Sequence, residues 1–61
     1  MIKAYDADNL EHTIDVIKER DHYTVEVDRR FYCSCDNRKE VDAEIPAVID
    51  LFGLSFVKEA E

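Results

Sequence analysis

The chain predicts an α+β fold: a small antiparallel sheet in a single layer, with two helices packed on one of its faces. Three observations lead there. Apolar and polar residues alternate strictly over His22-Tyr23-Thr24-Val25-Glu26-Val27-Asp28, the period of a half-buried strand. Leu10, Ile14 and Ile17 recur at i, i+4, i+7, and Val41, Ile45, Val48, Ile49 and Phe52 fit one helical face further on. The 61 residues include one glycine and one proline, which leaves little sequence for loops.

Each element follows in order. Ile2 to Tyr5 reads as a short strand, and Asp6-Ala7-Asp8-Asn9 as a turn. Asp8 with Glu11 three residues on has the form of a capping box, so a first helix is expected up to about Glu19, with Lys18 and Arg20 suiting its C-terminal dipole. The alternating strand comes next, then a turn at Asp28-Arg29-Arg30, then a strand over Phe31-Tyr32-Cys33-Ser34-Cys35. A three-residue loop would pair Val27 with Phe31 and Val25 with Cys33. A two-residue loop would turn Tyr32 and Ser34 inward instead, because a slip of one residue exchanges faces.

Asp36-Asn37-Arg38-Lys39 reads as a further turn, and residues 40–44 as an optional extra strand. Pro46 is tolerated in a first helical turn but costs about 3 kcal/mol deeper in a helix. The second helix is therefore expected to start near Glu44 to Pro46, end at Phe52 and be closed by Gly53 at C′. Ser55 to Lys58 reads as a last strand. The expected order is β-α-β-β-(β)-α-β, which without the bracketed strand is the split arrangement of ferredoxin-like folds.

Sixty-one residues make one domain, 1–61. A core this small supplies about 3–5 kcal/mol, so such chains often lean on metals, disulfides or self-association. Met1-Ile2-Lys3-Ala4-Tyr5-Asp6 carries no apolar leader segment, and no run approaches a membrane span. With two cysteines only, the expectation is a cytoplasmic protein.

Fifteen acidic residues oppose eight basic ones, for a formal charge of -7. That balance disfavours nucleic acid and anionic membranes as direct ligands and favours a protein with a basic surface. Arg29-Arg30 and Arg38-Lys39 sit in separate turns and form no single basic groove. Glu11, Asp15 and Glu19, at i, i+4, i+8, share one face of the expected first helix, and Glu26 and Asp28 share the outer face of a strand. These five carboxylates are the candidate partner-binding set. Enzyme carboxylates need burial or a coupled partner, and no phosphate loop or nucleophile–base motif is present, so no catalytic residue is assigned.

Cys33 and Cys35 lie two apart on a strand and share a face. They read first as buried core, second as a redox or intermolecular pair, third as half of a metal site whose other half is missing. No metal or cofactor is expected. Leu51, Phe52, Leu54 and Phe56 carry more apolar bulk than a short helix end hides, which makes them a candidate self-association surface for a homodimer. The leading expectation is a non-enzymatic acidic binding module. Its most concrete version inhibits a nucleic-acid-binding protein as a nucleic-acid mimic, and in composition the chain resembles small phage or mobile-element inhibitors.

Overall fold

The computed structural model describes residues 1–59, without the side chains of Phe56 and Glu59. Five strands and one helix follow in the order β1 (Ile2–Tyr5), β2 (Glu11–Lys18), β3 (Tyr23–Val27), β4 (Arg30–Cys35), α1 (Arg38–Leu51) and β5 (Phe56–Glu59). The strands form one sheet, β4-β3-β2-β1-β5, and every neighbouring pair is antiparallel. The expected pair of helices on a ferredoxin-like sheet is thereby corrected to a single helix on a five-stranded sheet. The predicted first helix is strand β2.

The physical reason lies in two overlapping periods. On β2, Ile14 and Val16 point to the helix side, where Ile14 is fully buried and Val16 packs against the core. Leu10 and Ile17, which complete the helical spacing, are 61% and 38% exposed. Thr13, Ile14, Val16 and Ile17 are β-branched and favour a pleated surface over a helix. The capping box does not form either. It is the Asp6 carboxylate that accepts from the backbone, at 2.9 Å from Asp8 N and 3.0 Å from Leu10 N, while Asn9 takes a left-handed φ of 62°. That folds residues 6–10 into a hairpin loop rather than a helix start.

The β3–β4 hairpin resolves the two alternative registers by using both. Its loop has two residues, Asp28 (φ 54°) and Arg29 (φ 66°), so Val27 pairs with Arg30. Positive φ at both centres is the type I′ geometry that matches strand twist. A bulge between Val25 and Glu26 then absorbs one residue and brings Val25 opposite Cys33. Cys33 and Cys35 consequently face the helix, and Phe31 faces out.

The helix starts earlier than the position of Pro46 suggests. Asn37 is its N-cap, accepting from Glu40 N at 3.0 Å, and Glu40 reaches back to accept from Asp36 N at 3.0 Å. Residues 40–44 are therefore helical, not strand, and Pro46 sits inside the helix. Starting at Arg38 buries Val41 completely and Ile45 in part. At about 1.5–3 kcal/mol for each fully buried aliphatic side chain, that offsets much of the proline's cost. The end is as expected of Gly53, whose φ is 66°. Gly53 N donates to Asp50 O at 3.2 Å and Leu54 N to Ile49 O at 2.9 Å, a Schellman closure that turns Leu54 into the core.

Fourteen helical residues span about 21 Å. The four inter-strand spacings from β4 to β5 span about 19 Å. The helix can thus carry the chain diagonally over one face and deliver β5 to the free edge of β1. Ala4, Ile14, Val25, Val27 and Cys35 from the sheet meet Val41 and Val48 from the helix, with Leu54 closing one end. The opposite face of the sheet has no covering layer among the described residues.

Candidate functional site

Strand pairing fixes what that uncovered face carries. Directly paired residues share a face, so Lys3, Tyr5, Glu11, Thr13, Asp15, Thr24 and Glu26 all lie on it, with Lys58 opposite Lys3 at its border. Asp15 stands directly opposite Glu26. Like charges at opposed positions destabilise a sheet, in contrast to an opposite-charge pair. Glu11 is farther along β2 and lies 3.7 Å from Lys3 Nζ. The outer face is therefore polarised, acidic over β2 and β3 and lysine-bearing over β1 and β5.

Three of the five predicted partner-binding carboxylates come together here: Glu11, Asp15 and Glu26. Glu11 and Asp15 share a face even though the helix does not exist, because a spacing of four is even and also serves a strand. Glu19 lies beyond the end of β2, in the turn where its N–H donates to His22 O at 2.9 Å. Asp28 is drawn away to a different task.

That task involves His12, on the helix side of β2 opposite Ala4. His12 Nε2 is 2.8 Å from Asp6 Oδ2, and Nδ1 is 2.9 Å from Asp28 Oδ2. A neutral imidazole has only one N–H, so facing two carboxylates favours the doubly protonated ring. The hydrogen bonds that His12 donates to Asp6 and then to Asp28 raise its pKa above the ordinary 6.5. The Asp6 carboxyl is held below its ordinary 3.8 by His12 and by the Leu10 N–H. At Asp28, partial burial pulls upward, but His12 and the Thr13 N–H, 3.1 Å from Oδ1, outweigh it and lower the value. The clasp ties the β1–β2 loop to the β3–β4 turn.

A pH dependence of stability follows. A raised histidine pKa contributes stability that is fully present below about pH 6.5 and is lost as pH rises through the folded-state value. The lowered aspartates contribute stability present above about pH 3.8 and lost as pH falls through theirs. The urea midpoint is expected to be highest between those limits and to decline above pH 6.5. His12→Gln should flatten the alkaline limb. An equally steep alkaline decline in the variant would show that the clasp does not cause it.

The sequence offered no route to this clasp. Its three residues come from two loops and a strand, and they meet only once β2 is recognised as a strand. Both ring nitrogens are engaged, so His12 has no free lone pair to act as a general base.

The other candidates also have definite positions. Cys35 is buried, Cys33 is part-buried, and both are free thiols. Cys33 Sγ donates to Glu44 Oε2 at 3.9 Å, and burial, with Cys35 and Glu44 adding to it, pushes its pKa up to about 11. A thiol held protonated in this way is a poor nucleophile and a poor ligand. No group of three or more potential metal-ligating side chains is placed to hold an ion among the described residues. Of the predicted self-association residues, Leu51 is 69% exposed and Phe52 39%, whereas Leu54 is buried. Phe56 pairs with Tyr5 through β5, and its side chain lies outside the described set. Phe52 packs edge-on to Tyr32 with ring centroids 6.1 Å apart. The two rings line an open groove of about 410 Å³ with Val27, Asp28, Arg30 and Phe31.

No protein-family model, curated protein or solved structure matches the chain. Among the described residues, no helix is long and apolar enough to cross a membrane.

Proposed function

We propose that the chain is a non-enzymatic acidic binding module whose uncovered sheet face engages a basic protein surface. The observation that carries this reading is the opposed pair Asp15 and Glu26, with Glu11 on the same face. Two carboxylates at directly opposed positions repel each other in the free protein. A lysine or arginine from a partner, seated between them, removes that repulsion and adds charge-assisted hydrogen bonds. The face has no covering layer among the described residues, which suits a protein surface better than a small molecule. Where the basic surface belongs to a nucleic-acid-binding protein, occupying it withholds it from nucleic acid, which is the inhibitory form of the same reading.

Asp15→Lys makes the test sharp, because it places an opposite charge against Glu26. Stability should rise by about 0.2–1 kcal/mol. Binding to an immobilised oligolysine peptide at low salt should weaken by about tenfold. Asp50→Lys, an equal charge change on the exposed side of the helix, is the control and should weaken binding far less. If both variants lose affinity equally, the attraction is diffuse charge and the sheet face is not the binding surface.

A further inference from the structure

The sheet has two open edges, β4 and β5, and they are built differently. β5 has four residues, two of them charged, Lys58 and Glu59. Short, charged strands are how sheets keep an edge from pairing. β4 has six residues, Arg30-Phe31-Tyr32-Cys33-Ser34-Cys35, with no carboxylate and a single charge at its start. Among the described residues no backbone group outside the β3 ladder bonds to it. Phe31 is 68% exposed on the outer face, and Ser34 is exposed beside it. In a chain of charge -7 this is a carboxylate-free strip.

The charges at the two ends of β4 are of opposite sign. Arg29 and Arg30 stand at its beginning. Asp36 follows its end, with Glu40 held against it by the Asp36 N–H bond of 3.0 Å. None of Arg29, Arg30 and Asp36 has an ion-pair partner within 4.0 Å among the described residues.

We infer that β4 is a self-association edge, pairing antiparallel with β4 of a second copy about a two-fold axis to continue the sheet. Antiparallel two-fold pairing sets the start of one strand beside the end of the other. It therefore brings Arg29 and Arg30 of each copy towards Asp36 of the other, so that the strip is complementary to itself. A second copy meets this requirement at both ends at once. The mutual repulsion of two chains of -7 is smallest where the strip carries no carboxylate. Six residues of edge bury less than the roughly 1,200 Å² of a standard interface, so the dimer is weak and forms in the micromolar range or above. This edge adjoins Phe52, which shares a groove with Arg30, Phe31 and Tyr32, and Glu26, which stands opposite Phe31, but its contact is made by the β4 backbone rather than by either surface.

Sedimentation of the full chain across the micromolar to high-micromolar range tests the inference. The wild type should show a concentration-dependent monomer–dimer equilibrium. Phe31→Lys with Ser34→Lys, both at exposed positions, should remain monomeric with a thermal midpoint at or above that of the wild type, because the lysine at position 31 stands opposite Glu26. Arg30→Glu and Asp36→Arg should each weaken the dimer about tenfold. The double variant, which exchanges the two charges, should recover wild-type association, a result that loss of folding does not give. A wild type that stays monomeric throughout overturns the inference. So does dissociation by Leu51→Lys with the β4 variants unaffected, which would place the contact at the helix end instead.

Discussion

Ile14→Ala is expected to leave most molecules unfolded in water at 25 °C. Ile14 is fully buried, stands opposite Ile2 on one side and Val27 on the other, and belongs to the core that includes Val41 and Val48 of the helix. Removing three carbons from such a site costs about 2–5 kcal/mol. A core of this size supplies about 3–5 kcal/mol in total. Far-UV circular dichroism with a urea titration reads the result. Ile17→Ala is the informative companion, because the sequence pattern groups Ile14 with Ile17, whereas the sheet places them on opposite faces. Ile17 is part-exposed on the uncovered face, and its truncation should shift the urea midpoint only slightly. Equal losses for the two variants would contradict β2 as a strand.

Pro46→Ala is expected to act with the opposite sign. The proline lies well inside α1, lacks the N–H that would bond to the Asp42 carbonyl, and is exposed, so no core contact is lost with it. Relief of an interior proline is worth about 2–3 kcal/mol, close to doubling the stability of so small a fold. The urea midpoint should rise with an unchanged slope. Had the helix begun near Glu44, with Pro46 in its first turn, alanine there would change little. An unmoved midpoint would therefore argue for the shorter helix.

These two residues also mark where the sequence was legible and where it was not. The hairpin of β3 and β4 was readable because strict alternation has one interpretation. The inward cysteines followed from it, although a two-residue turn and a bulge reached that register by another path. The buried face of α1 was readable from Val41, Ile45 and Val48, and its end from Gly53. Its start is not readable there, because the local cost of Pro46 carries no sign of the burial of Val41, which only the packed sheet supplies. β2 is ambiguous because a spacing of four suits both a helix and a strand. The signal that decides it is the segment Thr13-Ile14-Asp15-Val16-Ile17, β-branched at every position but Asp15. Of the candidate site, Glu11, Asp15 and Glu26 could be gathered from sequence alone. The opposition of Asp15 to Glu26, and the capture of Asp28 by His12, depend on cross-strand register, which no local pattern encodes.

The pairing of β5 with β1 sets a schedule for assembly. Strands β1 to β4 join neighbour to neighbour through short loops, and such closures are fast. Ile2 meets Glu59 only after the chain has crossed the whole sheet along α1. During folding the four-stranded meander can be in place while β1 still presents a bare edge, and residues 56–59 seal it last. Until β5 docks, the meander is open along β1 and β4, and docking replaces the bare β1 edge with that of β5 while leaving β4 as it was.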